Sequence, residues 1–493
     1  MEMAAAQDGN GAVEWRVTVP EGASVTVEHE AGRAARAWAW LVSCALAFRD
    51  TVLGSAKRVW RIGADDPRRA VHGLKVGLAL ALVSVFYYTR PLYDGVGGAA
   101  MWAIMTVVVV FEYTVGGCVY KGFNRAAATA SAGVLALGVH WVASKSGDAF
   151  EPFIRSGSLF LLAAAATFSR FIPTVKARFD YGVTIFILTY SLVAVSGYRV
   201  GALLALAQQR VSTISIGIAI CLAVCVLIRP VWAGQELHRA AARNMDRLAD
   251  AVEACVHDYF AEPEADKNVA KAKAAEGYKC VLNSKASEDA QANLARWEPA
   301  HGKFGFRHPY AQYKNVGAAM RSCAYCVEAL LGCATRSSPE TTPRRHLADA
   351  CTRVAAQCAR VLREASRSVS AMTAASRGLD LAVAEMDAAV QELQADLSAL
   401  TSSELLVMAE AGSSTVMMDA AQLFTVATLL MEVSARVEGV VDAVDTLASL
   451  AGFEPEEDDE KPTECATKVQ PAVTEPDSEE LEGSRTMKAL EQA

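Results

Sequence analysis

The sequence predicts an all-α membrane protein, with six transmembrane helices per subunit followed by a cytosolic helical bundle domain. Three observations lead there. Apolar residues crowd into six segments between Val71 and Ile228. The connections between those segments alternate between strongly basic and nearly neutral. Beyond Pro230 the pattern changes to amphipathic helix, with apolar residues spaced by fours and threes. A hydrophobic content of 52% and a mean hydropathy of +0.20 over 493 residues are high for a soluble chain.

Composition also excludes some functions. The net charge of -8 gives a nucleic-acid partner no electrostatic support. The 12 cysteines are scattered, with Cys118, Cys221, Cys225, Cys351 and Cys358 in apolar segments or on helical faces. Such usage fits small buried hydrophobes in a reducing compartment, not a disulfide framework. Glu2 and Asp8 stand where a signal peptide would need a basic lead, so none is expected. No phosphate-binding glycine loop and no nucleophile–base pairing are legible, so neither an enzyme nor a cofactor is expected.

Residues 1–70 read as a cytosolic N-terminal segment. A mobile lead with a short strand in EWRVTV gives way at Arg33 to a helix that becomes basic through Arg49, Lys57, Arg58, Arg61, Arg68 and Arg69. Ala37–Phe48 is apolar but shorter than the ~20 residues a span requires, and is expected on the cytosolic membrane face. Pro67 suits the first position of the next helix, where its missing N–H costs nothing.

Residues 71–230 are the expected transmembrane domain, with spans Val71–Tyr88, Ala99–Val115, Ala126–Ala143, Ser158–Phe171, Tyr181–Val195 and Gly201–Ile228. Flanking Arg, Lys, Trp and Tyr extend the shorter ones by snorkelling. Lys121 and Arg125, then Arg170, Lys176 and Arg178, then Arg229, Arg239 and Arg243 share a side with the basic lead. The positive-inside rule makes that side cytosolic, with both termini there. Gly77, Gly116, Gly117, Gly133, Gly138, Ser212, Ser215 and Gly217 are expected to let helices approach closely.

Residues 231–452 read as a cytosolic helical domain. It comprises helices over Gln235–Phe260 and Asp266–Leu282, a loop from Trp297 to Tyr310, a helix through Gly332, and helices over Pro343–Val369 and Leu379–Leu400. The last helix carries Val416, Ala420, Leu423, Ala427, Leu430, Ser434, Val437, Val441 and Val444 on one stripe. Residues 453–493 are expected to be a disordered acidic tail.

The residues with chemical potential are the charges in the spans. Lys75 lies one turn into the first, Glu112 deep in the second, Arg125 at the start of the third, and Arg210 roughly 14 Å along the sixth. An arginine at that depth must face protein or water. Lys75, Arg125 and Arg210 are the candidate anion-binding lining of a pathway, since guanidinium matches carboxylate geometry and several moderate sites let an anion leave. Glu112 and Lys121 are pore-associated or structural; Glu112 has Lys75 or Arg125 as its candidate ion-pair partner. Asp94, Asp148 and Glu151, on the external side, form a possible oxygen-ligand cation site or are simply solvated. His301, His308, Cys323 and Cys326 lack zinc spacing, so no metal is expected and the loop's rings are read as docking cytosolic helices together.

The stretch TVVVVFEYTVGGCVYKGFNR followed by ATASAG, with WEPAHGKFGFRHPYAQYKNVG, RSCAYCVEAL and RIGADDPRRAVHGLKVGLAL, resembles the aluminium-activated malate transporter family of plants. The likeness runs from about Arg61 to near Leu450; Tyr113 and Tyr310 replace an expected Phe and Trp. It implies a homodimeric anion channel in membrane lipid, passing malate and often chloride, nitrate or sulfate, with basic span residues in its pore. The expectation is passive malate conduction, at the plasma membrane rather than the vacuolar membrane. Alternatives are a proton-coupled organic-acid exporter and a non-conducting, membrane-anchored helical scaffold.

Overall fold

The computed structural model describes residues 4–7, 13–16, 33–89, 100–147, 149–196, 203–260, 277–305, 307–334, 342–374, 377–411 and 414–455. The expected acidic tail and most of the Asp266–Leu282 helix lie outside these residues. A short antiparallel ribbon pairs β1 (Ala4–Gln7) with β2 (Val13–Arg16), which falls in the strand expected near EWRVTV. Among the described residues the remaining regular structure is helical, and the chain divides into two compact units.

The first unit is Met1–Ala240 with Ser284–Lys314. Helix α1 (Arg33–Asp65) is 33 residues long and leaves Trp38, Phe48 and Trp60 exposed. It stops where Asp66 caps α2 (Pro67–Tyr88): the Asp66 carboxylate accepts from the Arg68 N–H at 3.2 Å, and Pro67 opens the helix. Next come α3 (Ala100–Val110), α4 (Val115–Lys145), α5 (Glu151–Ser169), α6 (Pro173–Ser196) and α7 (Leu203–Leu227). Several boundaries depart from the sequence reading: α5 and α6 begin at Glu151 and Pro173, ahead of the expected Ser158 and Tyr181. The second apolar segment stops being helical at Val110, and the third helix begins at Val115, not near Ala126. Thr114 is the reason: its hydroxyl accepts from the Gly117 N–H at 3.2 Å, capping α4 eleven residues early.

Among the described residues, Val115–Lys145, Glu151–Ser169, Pro173–Val195 and Ala207–Leu227 are long and apolar enough to cross a bilayer. Tyr310–Cys333 meets the same measure while carrying Lys314, Arg321 and Glu328. At 11 residues α3 reaches only about 16 Å, less than a ~30 Å hydrocarbon core. On α5 only 6% of the apolar window is buried, and Phe153, Phe160, Leu161 and Phe168 point outward. Water would not tolerate that surface; lipid does.

Two cores hold this unit. Ala79 and Val83 of α2, Val107 and Val110 of α3, Cys118 of α4, and Cys221, Val224 and Cys225 of α7 form the first. Ala132 and Ala136 of α4 with Tyr190 and Val193 of α6 form the second. Gly217 allows the α3–α7 crossing, since a Cβ there would lie 2.9 Å from Thr106 Cβ and 3.0 Å from the Ala103 carbonyl. Gly77, Gly133 and Gly138, expected to do likewise, would meet nothing within 4 Å.

The second unit is Ala241–Asn283 with Asn315–Ala493. It takes the later part of α8 (Ala233–Phe260) and of α10 (Tyr310–Ala334), with α11 (Thr342–Ala371), α12 (Arg377–Ala411) and α13 (Ser414–Ala451). A helix that sequence reading passed over, α9 (Lys285–Ala295), belongs to the first unit. Helices α11, α12 and α13 pack on one another. Leu347, Cys351, Val354, Cys358, Val361 and Ala365 are all fully buried on α11, as their spacing requires.

Candidate functional site

Three cations are buried along α7. Arg210 is on α7 itself and only 9% exposed; its guanidinium carbon sits 4.3 Å above the Trp102 ring of α3. That contact is worth about 0.5–2 kcal/mol and leaves the charge uncompensated. Arg125, on α4, is 4% exposed and within electrostatic reach of Cys221, which is 11 residues or roughly 16 Å further along α7. Lys75, on α2, is 3% exposed; it acts on Cys225, and its Nζ donates to the Arg229 carbonyl at 2.9 Å just past the α7 terminus. Neither Arg125 nor Arg210 has a carboxylate partner among the described residues.

Among the described residues, four buried polar atoms in this region lack hydrogen-bond partners: Arg125 Nε, Arg210 Nε, Thr129 Oγ1 and Tyr181 Oη. Natural cores keep such atoms few, because each costs about 1–3 kcal/mol when unmet. Arg125 occupies the middle of α4, not its start, because that helix begins ten residues earlier.

Glu112 is not deep in a span. It lies in the turn Phe111–Thr114 between α3 and α4, and its partner is Lys121 instead of Lys75 or Arg125. Lys121 Nζ also sits 5.7 Å from the Tyr181 ring. The turn is pinned through Cys118: the Glu112 N–H donates to its sulfur at 3.1 Å, and the thiol lies 3.3 Å from the Glu112 carbonyl and 3.6 Å from Cys225 Sγ.

A carboxylate that sequence reading overlooked ties two helix starts together. Glu298 is 9% exposed; its Oε1 accepts from the Gly116 N–H at 3.2 Å and the Ala233 N–H at 2.5 Å, and Oε2 accepts from Gly234 at 3.0 Å. One side chain therefore caps both α4 and α8, where free N–H groups and helix dipoles favour an anion. Burial nevertheless raises the Glu298 pKa, against the lowering by its three backbone donors. Glycine is required at both caps: a Cβ on Gly116 would collide with the Leu294 carbonyl, and one on Gly234 with the Tyr310 ring at 2.6 Å.

Around Glu298 the loop is aromatic. Trp297 packs on Tyr120 and Phe123, and His301 stacks 3.8 Å from Trp232. The Tyr313 hydroxyl bridges His238 Nδ1 at 2.9 Å and His308 Nε2 at 3.1 Å. Burial, then His238 and His301, push His308 down to about 4. The loop thus grips the first turns of α4 and α8, whereas the sequence suggested it joins cytosolic helices to each other. Among the described residues no group of three or more His, Cys, Asp or Glu is arranged to hold a metal ion.

On the expected external side, Asp94 and Asp148 lie outside the described residues. Glu151 is engaged by Arg155, whose Nε and a terminal nitrogen donate at 2.9 and 2.6 Å while that nitrogen also meets His140 Nδ1. Arg155, at 9% exposure, is a further buried cation on α5, outside the lining that the sequence suggests.

The profile described as Aluminium activated malate transporter matches residues 60–419, which contain every buried cation above and Glu298. The chain is 46% identical to Aluminum-activated malate transporter 10 of Arabidopsis thaliana, over 94% of this chain and 99% of that protein. It is 40% identical to Aluminum-activated malate transporter 1 of Triticum aestivum over 82% and 87% of the two chains. Aluminum-activated malate transporter 2 of Arabidopsis thaliana is 53% identical over 55% of this chain and 54% of its own.

Proposed function

Because the chain belongs to the aluminium activated malate transporter family and is a multi-pass membrane protein, we propose that it is a channel conducting malate passively across a plant membrane. Inorganic anions such as chloride and nitrate share the pathway. The active form is a homodimer in the plasma membrane, with both termini in the cytosol. Residues 71–230 make the membrane domain, and 231–452 a cytosolic one.

The observation that carries this reading is the file of buried cations beside α7, two of them arginines with an unpartnered Nε. A dicarboxylate entering between hydrophobic helices loses its hydration and must find donors in return. Arg210 and Arg125 each offer a guanidinium fork, and Lys75 a point charge. Among the described residues none is neutralised by a carboxylate, so each attracts; separated along α7, none captures the anion alone. Glu112, held by Lys121 in a turn, serves the structure of the α3–α4 corner.

Purified protein in planar bilayers tests the proposal. Unitary anion currents should appear, with reversal potentials that follow the malate gradient. Reversal that tracks pH instead would make the protein a proton-coupled exporter, and silence across voltage and malate would make it a scaffold.

A further inference from the structure

A buried ammonium needs a counter-charge, and the partner of Lys75 is a neutral carbonyl. Beside it is a cavity of about 320 Å³ at the start of α2 and the end of α7, with Arg68, His72, Lys75, Tyr113, Arg229 and Arg239 among its walls. Glu236 is its single carboxylate, already shared by Arg68 at 2.5 Å and Arg239 at 2.6 Å. Four cations against one carboxylate leave an excess of three positive charges. Arg229 has φ +42°, a left-handed conformation that side chains other than glycine and asparagine rarely adopt, and its carbonyl is the one that holds Lys75. Strain of that kind persists where surrounding structure enforces it, and it gathers at binding sites.

We infer that this cavity, which meets the malate pathway at Lys75, binds a phosphorylated anion in preference to malate. Charge and size both favour phosphate over malate. One dicarboxylate leaves part of the positive excess uncovered, whereas a polyol carrying several phosphates covers it through guanidinium forks and the ammonium. The volume reaches the range of ordinary small-molecule pockets, ~300–1,000 Å³, more than a four-carbon diacid fills. Lys57, Arg58 and Arg61 precede the cavity in the chain, a basic cluster flanking a span of the kind that concentrates phosphorylated headgroups. A soluble inositol phosphate and an inositol lipid headgroup present the same chemistry here.

The purified full chain, in phosphatidylcholine nanodiscs, is titrated with inositol trisphosphate. In parallel it is reconstituted in phosphatidylcholine vesicles with or without phosphatidylinositol bisphosphate, and thermal unfolding is followed. Saturable binding is expected, weakened about tenfold by Arg229→Gln and further by adding Arg68→Gln, since each removes a guanidinium and spares the carbonyl under Lys75. Arg229→Gly should weaken binding while raising the unfolding temperature, which separates a lost site from a damaged fold. Binding in the soluble arm assigns a diffusing ligand and stabilisation in the lipid arm a headgroup; either supports the site. No binding in either arm, equal binding by wild type and the double variant, or displacement of the probe by malate overturns it. These readouts do not depend on conduction, so they can fail or succeed apart from the channel reading.

Discussion

Replacing Glu298 with Ala should unfasten α4 from α8. The substitution leaves three buried backbone N–H groups, those of Gly116, Ala233 and Gly234, without their acceptor. Each orphaned donor costs about 1–3 kcal/mol, and water reaching the vacated space recovers part of it, which sets the loss near 3–5 kcal/mol. An ordinary cap is worth about 0.5–2 kcal/mol, so one carboxylate serving two helices fits that size. For a unit this large, about 2 °C per kcal/mol gives a melting temperature about 6–10 °C lower. Glu298→Gln keeps one acceptor oxygen and should fall between. Trp297 and Trp232 lie beside the site, so intrinsic fluorescence of the detergent-solubilised chain follows the transition directly. A Glu298→Ala protein that melts within about 1 °C of wild type would show that the double cap contributes nothing. The pH dependence has a definite sign. Because the folded pKa of Glu298 is raised, its contribution is greatest below the ordinary carboxylate range and declines as pH rises through the raised value. Glu298→Gln should remove that decline.

Other perturbations are simpler. His308 is held neutral by burial, with a pKa of about 4 against 6.5 unfolded, so stability should be full at pH 7 and lost as pH falls between those values. Discounting for partial exposure, the loss is about 2–3 kcal/mol, and thermal melts of His308→Gln should show a flatter acid limb. Gly217→Val puts carbon against Thr106 and the Ala103 carbonyl, costing about 1–3 kcal/mol and lowering surface expression, while Gly133→Ala should match wild type. Glu112→Gln breaks a half-exposed pair with Lys121 and should cost under about 1 kcal/mol, with malate current retained; loss of current would return Glu112 to the conduction path.

Much of the fold was legible because lipid and helix packing write simple periodic signals. The stripe from Leu347 to Ala365 is buried without exception, and Pro67 opens α2 where its chemistry allows. On α13 the register drifts: Val440 is fully buried while the expected Val441 is half-buried, as a 3.6-residue helix slips against a 3.5-residue count. The turn at Glu112 was hidden for a different reason. Hydropathy reads TVVVVFEYTVGG as one apolar run, whereas the stop depends on one hydrogen bond, Thr114 to Gly117. Thr114, with Gly116 and Gly117 two and three residues on, was the available signal. Nothing local announced Glu298, whose donors lie 182, 65 and 64 residues away in sequence. Burial of Arg125 and Arg210 was legible, since both sit in or beside apolar runs; the Trp102 ring under Arg210 was not.

Anion conduction beside α7 is tested most directly by recording malate currents from Arg125→Gln, Arg210→Gln and the double variant at matched surface abundance. Removing one buried unit charge from a path taken by a dianion should cut the current by about tenfold or more, and the double variant should be silent. Full malate current in the double variant would contradict a cation-lined passage along this helix.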